Sequence, residues 1–216
     1  NHYIEHTALK PTMIGKDVDQ LIYEAREHSF LGICVPPFWV KKAARELEHT
    51  DIQLVTVIGF PLGYNQTETK EFEIQRAIDQ GANELDIVMN ISAFKDGMPW
   101  VKVELAKCAH LIHEGGCLMK TIIETAYLSD EEIIRATRLC SEAGTDFVKT
   151  STGFAGAGAE VKHIELMRQH APSNVGIKAS GGIKSWTDAK AMIAAGADRL
   201  GTSSGVQIMK EYAQSH

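Results

Sequence analysis

Gly144-Thr-Asp-Phe-Val-Lys-Thr-Ser-Thr-Gly153 closes a helix-period segment, opens a short apolar run and breaks that run with a lysine just before a small, polar loop. Its first residues have two echoes, Gly81-Ala-Asn-Glu-Leu85 and Gly196-Ala-Asp-Arg-Leu200. In each, a glycine suits the left-handed position just past a helix C-terminus, and the residues after it launch a strand. Outward from these points, short β-branched runs alternate with longer amphipathic stretches along the whole chain, which is the pattern of βα units on a parallel sheet. Strands are expected near residues 3–9, 32–35, 53–60, 84–91, 118–124, 147–151, 176–180 and 199–202. Val18, Leu21, Ile22 and Ala25 form one helical apolar stripe, and Ile74, Ala77 and Ile78 form another. Ser129-Asp-Glu-Glu132 and Ser185-Trp-Thr-Asp188 are capping boxes that open two more helices. Eight such units predict an α/β fold, a TIM (β/α)8 barrel forming one domain over residues 1–216. An open doubly wound sheet would more often have fewer strands, and no G-x-G-x-x-G follows an early strand to support one.

With 216 residues, 44% of them hydrophobic and 23% charged, the chain has the make-up of an ordinary globular domain with a sizeable core. A net charge of −6 supplies no basic footprint for nucleic acid or for an acidic membrane surface, although local lysines remain available to small anions. No apolar run approaches the ~18 residues of a membrane span. Cys34, Cys108, Cys117 and Cys140 are dispersed without a C-x-x-C pair and read as thiols in a reducing compartment. The opening Asn-His-Tyr-Ile-Glu-His lacks a signal-peptide profile, so a cytoplasmic protein is expected.

In a barrel of this kind the chemistry sits at the C-terminal ends of the strands, so polar residues that interrupt apolar strands near those ends are the candidates. Asp86 interrupts Leu85-Asp-Ile-Val-Met-Asn90, Lys149 interrupts the sixth strand, and Lys178 interrupts Val175-Gly-Ile-Lys-Ala-Ser-Gly-Gly182 on the seventh. They read either as a buried ion set that only satisfies itself or as a reactive constellation. Buried charge is costly and seldom kept for stability alone. Two ammoniums sharing one carboxylate leave a positive excess; at ~4 Å and an effective dielectric of ~20 the repulsion is about 4 kcal/mol, enough to favour one neutral, nucleophilic amine near neutral pH. Lys120, in Leu118-Met-Lys-Thr-Ile-Ile-Glu124, competes for that role. Four strand-like residues follow it, which puts it on the order of 13 Å below the strand end and makes it a lower member of the network, with Glu124 at the mouth.

Ser180-Gly-Gly-Ile183 and Gly201-Thr-Ser-Ser-Gly205 follow strands seven and eight, the places from which such barrels commonly build a phosphate site. Gly181 and Gly182 would expose backbone N–H groups, Ser203 and Ser204 would add donors, and a helix N-terminus follows each loop. Thr152 and Gly153, after Lys149, add further donors, although a plain polar turn would have the same composition. A catalytic metal is not expected, because His110-x-x-His113 lies within an amphipathic stretch and reads as a solvated helix face. Cys34 and His6 lie near strand ends without a triad partner and read, with Lys120, as pocket lining.

These residues together resemble the deoxyribose-phosphate aldolases, a class I aldolase family. The likeness runs through Ile4-Glu-His-Thr-Ala-Leu-Lys-Pro11, Val57-Ile-Gly-Phe-Pro61, Glu84-Leu-Asp-Ile-Val-Met-Asn90, Lys120-Thr-Ile-Ile-Glu-Thr125, Phe147-Val-Lys-Thr-Ser-Thr-Gly-Phe154 and Ile177-Lys-Ala-Ser-Gly-Gly-Ile183. The resemblance implies reversible, cofactor-free cleavage of 2-deoxy-D-ribose 5-phosphate to glyceraldehyde 3-phosphate and acetaldehyde. It implies Lys149 as the Schiff-base lysine, Lys178 as the neighbour that tunes it and shares in proton transfer, and Asp86 in the same relay through a water. It also implies the serines and glycines of the last two loops as the phosphate site, small phosphorylated sugars and aldehydes as the only partners, and a homodimer. Two departures stand out. Glu5 takes a place where the family more often has Asp, and the chain ends Tyr212-Ala-Gln-Ser-His216, so the proton-transfer role of a terminal tyrosine in some relatives is not carried over to Tyr212. The rival readings are another Schiff-base barrel with a different donor, transaldolase-like or keto-acid-dependent, and a noncatalytic phosphosugar-binding barrel.

Overall fold

In the computed structural model, which describes residues 1–215, eight parallel strands close into a barrel in chain order. The strands are β1 (Ile4–Thr7), β2 (Gly32–Val35), β3 (Gln53–Ile58), β4 (Glu84–Val88), β5 (Leu118–Ile122), β6 (Phe147–Lys149), β7 (Gly176–Ser180) and β8 (Arg199–Thr202). Around them lie α1 (Gly15–Glu27), α2 (Val40–Glu46), α3 (Thr67–Asp79), α4 (Ile91–Lys95), α5 (Trp100–Glu114), α6 (Asp130–Glu142), α7 (Val161–His170), α8 (Trp186–Ala194) and α9 (Gly205–Gln214). The ring closes where Glu5 of β1 pairs with Gly32 on one side and with Gly201 of β8 on the other. The TIM-barrel expectation therefore holds. The three echoes behave alike: Gly81, Gly144 and Gly196 follow α3, α6 and α8 with φ of +98°, +96° and +106°, a conformation that a side chain would oppose. Ser129 and Ser185 cap α6 and α8 through the expected reciprocal boxes.

Alternation along the strands separates two interiors. Outward-facing Ile33, Leu54, Leu85, Val148 and Ile177 pack under the helices, where Val18, Leu21, Ile22 and Ala25 of α1 and Ile74 and Ala77 of α3 meet them. Inward-facing positions on β1 and β4 to β8 carry charge instead, while β2 and β3 turn Cys34, Val55 and Val57 inward. At the floor of the barrel the Arg199 guanidinium lies 4.8 Å from the Phe147 ring centroid. Gly176 leaves space for that ring, because a Cβ there would fall 2.3 Å from it.

Five strands end earlier than the sequence suggests, because their last residues turn into the loops of the mouth. Gly59 has φ +62°, Asn90 accepts from the Ala93 N–H at 3.1 Å to cap α4, and Glu124 is left-handed. Lys149 is consequently the last residue of β6. Lys120 is corrected in depth: only two strand residues follow it, and Ile122 rather than Lys120 pairs with Lys149. Lys120 therefore lies one inward layer, about 7 Å, below Lys149 rather than about 13 Å below the rim.

Candidate active site

Inside the barrel, seven side chains from six strands form one contact-linked ion set. Asp86 Oδ2 lies 2.7 Å from Lys149 Nζ and 2.7 Å from Lys178 Nζ, while its Oδ1 lies 3.1 Å from Lys120 Nζ. Glu5 pairs with Lys178, with Lys120 at 3.5 Å and with Arg199 at 3.2 Å. Glu84 pairs with Lys120 and with Arg199 at 2.8 Å. Among the described residues, three carboxylates thus face four cations. The set is electroneutral only when one cation has given up its proton, and Arg199 is not the group to do so.

The field inside this set is strong. Burial alone would push the Asp86 carboxyl up, but the Lys120, Lys149 and Lys178 ammoniums outweigh it and hold Asp86 well below the usual carboxylate range. Glu5 is likewise lowered: burial would raise it, and Lys120 with Lys178 reverses that. Burial would lower Lys178, yet Asp86 and Glu5 hold it above its ordinary value, so Lys178 stays an ammonium; Lys120 is raised for the same reasons. The cation that the carboxylates grip least is Lys149. It contacts Asp86 alone and sits at the rim, whereas Lys120 and Lys178 each touch two or more carboxylates and are completely buried.

Above the ion set lies a cavity of about 780 Å³, bordered by Lys149, Thr152, Gly153, Gly181, Gly182 and Ser203. Four strand-end loops, those after β1, β6, β7 and β8, meet there. Gly181 and Gly182 follow β7 with φ of +86° and +79°, and the Gly181 carbonyl accepts from the Ala159 N–H at 3.0 Å. The β7 and β8 loops are tied where the Thr202 hydroxyl donates to the Ile183 carbonyl at 2.7 Å. The loop after β6 is tied to β7 where the Ser180 hydroxyl donates to the Ser151 carbonyl at 2.5 Å. Lys10 and Lys184 also border the cavity and bring positive charge to its rim. Backbone donors, hydroxyls, the start of α9 and peripheral lysines are the chemistry that holds an anion.

The other residues singled out from sequence fall into clear places. Asp86 and Lys178 lie beneath the cavity and touch Lys149 only through the ion set. Ser204 is the N-cap of α9; its N–H donates to Thr202 Oγ1 at 2.9 Å, and it does not border the cavity. Lys120 and Cys34 do not line the cavity either, which revises that expectation. Lys120 is in the lower ion layer, and Cys34 is sealed against Val55 and Val57, where burial pushes its thiol up to about 11. His6 does border the cavity, paired to Glu24 at 2.7 Å. Both Thr152 donors, the N–H and the hydroxyl, go to Glu124. Tyr212 packs edge-on against Trp186 at 4.9 Å on the outer helices, and His216 lies outside the described residues. His110 and His113 occupy the solvated face of α5, and no group of His, Cys, Asp and Glu able to hold a metal occurs among the described residues. Glu84 and Arg199 were not picked out from sequence as members of the site, and Glu5 was noted only as a departure from the family pattern. The signal that exists for them is alternation, since Glu84 is two residues before Asp86 and so shares its face.

Residues 2–211 match the DeoC/LacD family aldolases. The chain belongs to the DeoC/LacD aldolase family. Two curated relatives are the deoxyribose-phosphate aldolases of Brevibacillus brevis, 49% identical over 97% of this chain and 94% of the relative, and of Caldanaerobacter subterraneus subsp. tengcongensis, 47% identical over 97% and 91%. Among solved structures, the aldolase QR15 superposes with a TM-score of 0.93 at 41% identity, covering 99% of this chain and 96% of that one. The tetrameric deoxyribose phosphate aldolase of Aeropyrum pernix gives 0.92 at 33%, covering 99% and 91%. This DeoC/LacD aldolase is therefore a carbon–carbon lyase built on a TIM barrel. No helix among the described residues of the aldolase is long and apolar enough to cross a membrane.

Proposed function

We propose that the aldolase reversibly cleaves 2-deoxy-D-ribose 5-phosphate to D-glyceraldehyde 3-phosphate and acetaldehyde through a Schiff base on Lys149, with no cofactor. The observation that carries this reading is that, of the three lysines in the ion set, Lys149 alone borders the cavity. Charge supports the same choice. Lys178 and Lys120 are held as ammoniums by two or more carboxylates each, whereas Lys149 contacts Asp86 alone. The neutral amine adds to the C1 aldehyde of the open-chain sugar and, on loss of water, becomes an iminium. That iminium draws electrons from the C2–C3 bond while the C3 hydroxyl gives up its proton, releasing glyceraldehyde 3-phosphate and leaving an enamine. Protonation at C2 and hydrolysis then free acetaldehyde and Lys149. Lys178 supplies the fixed positive charge beside the nucleophile. Asp86, which contacts both lysines, is placed to pass protons between them through a water.

The 5-phosphate is assigned to Gly153, Gly181, Gly182 and Ser203, which border the cavity, with Lys10 and Lys184 as peripheral countercharges, and Ser204 contributes to the same loop only as the N-cap of α9. Thr152 belongs to the same wall through its position in the loop. Small phosphorylated sugars and aldehydes are the expected partners, and one domain, a homodimer and a cytoplasmic location remain our expectations; light scattering on the purified protein tests the dimer. The deciding experiment for the chemistry is borohydride reduction in the presence of acetaldehyde or the sugar phosphate, followed by peptide mapping. A two-carbon adduct at Lys149 is expected, and none should form in Lys149→Ala. An adduct of undiminished yield in that variant would move the assignment to Lys178 or Lys120.

A further inference from the structure

We propose that Glu124 is a positioning residue for the aldol reaction: its carboxylate clamps Thr152 and thereby fixes the loop that follows the nucleophile. The proposal rests on Lys149 being that nucleophile. Glu124 lies two residues beyond β5 with φ 51° and ψ 71°, a left-handed conformation that disfavours a residue with a Cβ. Its side chain is nonetheless almost completely buried, with a relative exposure of 1%. Its oxygens accept from the Thr152 N–H at 3.3 and 3.2 Å and from the Thr152 hydroxyl.

The neighbours of Glu124 hold the same loop from its backbone side. The Ile123 N–H donates to the Lys149 carbonyl at 3.0 Å, and the Thr125 N–H donates to the Thr150 carbonyl at 2.9 Å. Thr152 Oγ1 in turn accepts from the Phe154 N–H at 3.1 Å, so the clamp fixes the next turn as well. On the far side the Ser180 hydroxyl holds the Ser151 carbonyl, and Ser180 exchanges hydrogen bonds with Thr150 Oγ1 at 3.0 and 3.1 Å. Each of residues 149 to 152 is therefore tied to β5 or β7 or to the residues just beyond them, and the tie at Thr152 is the one that uses a carboxylate.

Two consequences follow for the reaction. The loop cannot rise or slide relative to Lys149 without breaking charge-assisted bonds, which are roughly twice as strong as neutral ones. Both Thr152 donors are committed to Glu124, so the donors left for an anion are those of Gly153, the Gly181–Gly182 turn and Ser203. Glu124 thus acts through Thr152 on the geometry of the nucleophile rather than by touching substrate.

The test is a kinetic double-mutant cycle on the full-length protein with 2-deoxy-D-ribose 5-phosphate. Because a misplacement of ~1 Å can cost on the order of 100-fold in rate, Glu124→Ala and Thr152→Val should each lower kcat by roughly 10- to 100-fold with KM changed less than about threefold. Glu124→Gln, which keeps the shape and one strong acceptor, should lose about tenfold and guards against a variant that fails to fold. Thr152→Ser should recover most of what Thr152→Val loses. The double variant Glu124→Ala/Thr152→Val should be no slower than the worse single one, because both remove one clamp. Inhibition by inorganic phosphate should be unchanged in Glu124→Ala. Multiplied losses in the double variant, a KM effect at constant kcat, or weakened phosphate inhibition would overturn the proposal. Borohydride mapping of the unmutated protein separates the two failures. Without an adduct at Lys149 the nucleophile assignment falls, whereas an adduct combined with a failed cycle removes only the clamp.

Discussion

Replacing Lys178 with Met tests the electrostatic account of the site most directly. The substitution keeps an unbranched chain of similar reach and removes one charge. Lys149 Nζ and Lys178 Nζ both lie 2.7 Å from Asp86 Oδ2, so they are no more than twice that distance apart. At ~5 Å and an effective dielectric of ~20, two unit charges repel by about 3 kcal/mol, equivalent to roughly two pH units. The set then has three cations against three carboxylates, and no proton needs to leave. Glu5 still touches Lys120 and Arg199, and Asp86 still touches Lys120 and Lys149, so neither carboxylate is left to neutralise by taking up a proton. The expected outcome is an alkaline displacement of about two units in the pH at which the borohydride-trapping rate is half-maximal, together with a large loss of activity at pH 7. The assay is trapping rate against pH, with circular dichroism to confirm the fold. A folded Lys178→Met protein with an unmoved profile would refute the reasoning and leave desolvation as the source of the lysine's reactivity.

Three further outcomes follow from the same geometry. A Cβ at Gly201 would lie 3.1 Å from Lys178 Cε and 3.0 Å from Ser180 Cβ, so Gly201→Ala should push Lys178 aside and lower kcat about tenfold or more, read from steady-state kinetics. Lys70 and Glu104 form a fully buried pair at 2.6 Å between α3 and α5, away from the ion set; Lys70→Met should destabilise by about 3–5 kcal/mol, read from urea unfolding, because Glu104 is left without its cation. Stability should also have a defined pH window. Glu5 and Asp86 fall below their ordinary 4.5 and 3.8, so their contribution is complete above those values and is lost as pH falls through the lower folded ones. Lys120 and Lys178 rise above 10.5, so theirs is complete below that value and is lost as pH climbs through the higher folded ones. The part of Tm attributable to Glu5, Asp86, Lys120 and Lys178 should accordingly be flat between about pH 5 and 10 and fall on both sides.

The barrel was legible because its punctuation is local. Gly81, Gly144 and Gly196 mark helix ends by a backbone requirement that depends only on nearby residues, and all three are left-handed in the fold. Lys149, Lys178 and Asp86 could be found because a charge inside an apolar strand is conspicuous wherever it points. Glu5, Glu84 and Arg199 were harder for the opposite reason: they sit at or near strand beginnings, where charge is ordinary, and only barrel closure turns them into one layer with Lys120. The depth of Lys120 was misjudged because β-branched Ile122 and Ile123 continue the strand pattern while the backbone leaves it at the left-handed Glu124. Pairings such as Glu124 with Thr152 join residues 28 apart in sequence, and nothing in either neighbourhood announces the other.

The four-against-three count has a second effect once Lys149 carries a substrate. An iminium restores the positive charge that the free amine had shed, whereas the enamine removes it again. Along the proposed cycle the interior therefore alternates between a surplus of one and balance, and the carbon–carbon bond breaks on the step that returns it to balance. A residue set fixed before the substrate arrives would then act as an electron pull on C2–C3 without touching either carbon. The barrel's interior is in that sense a stationary electrophile.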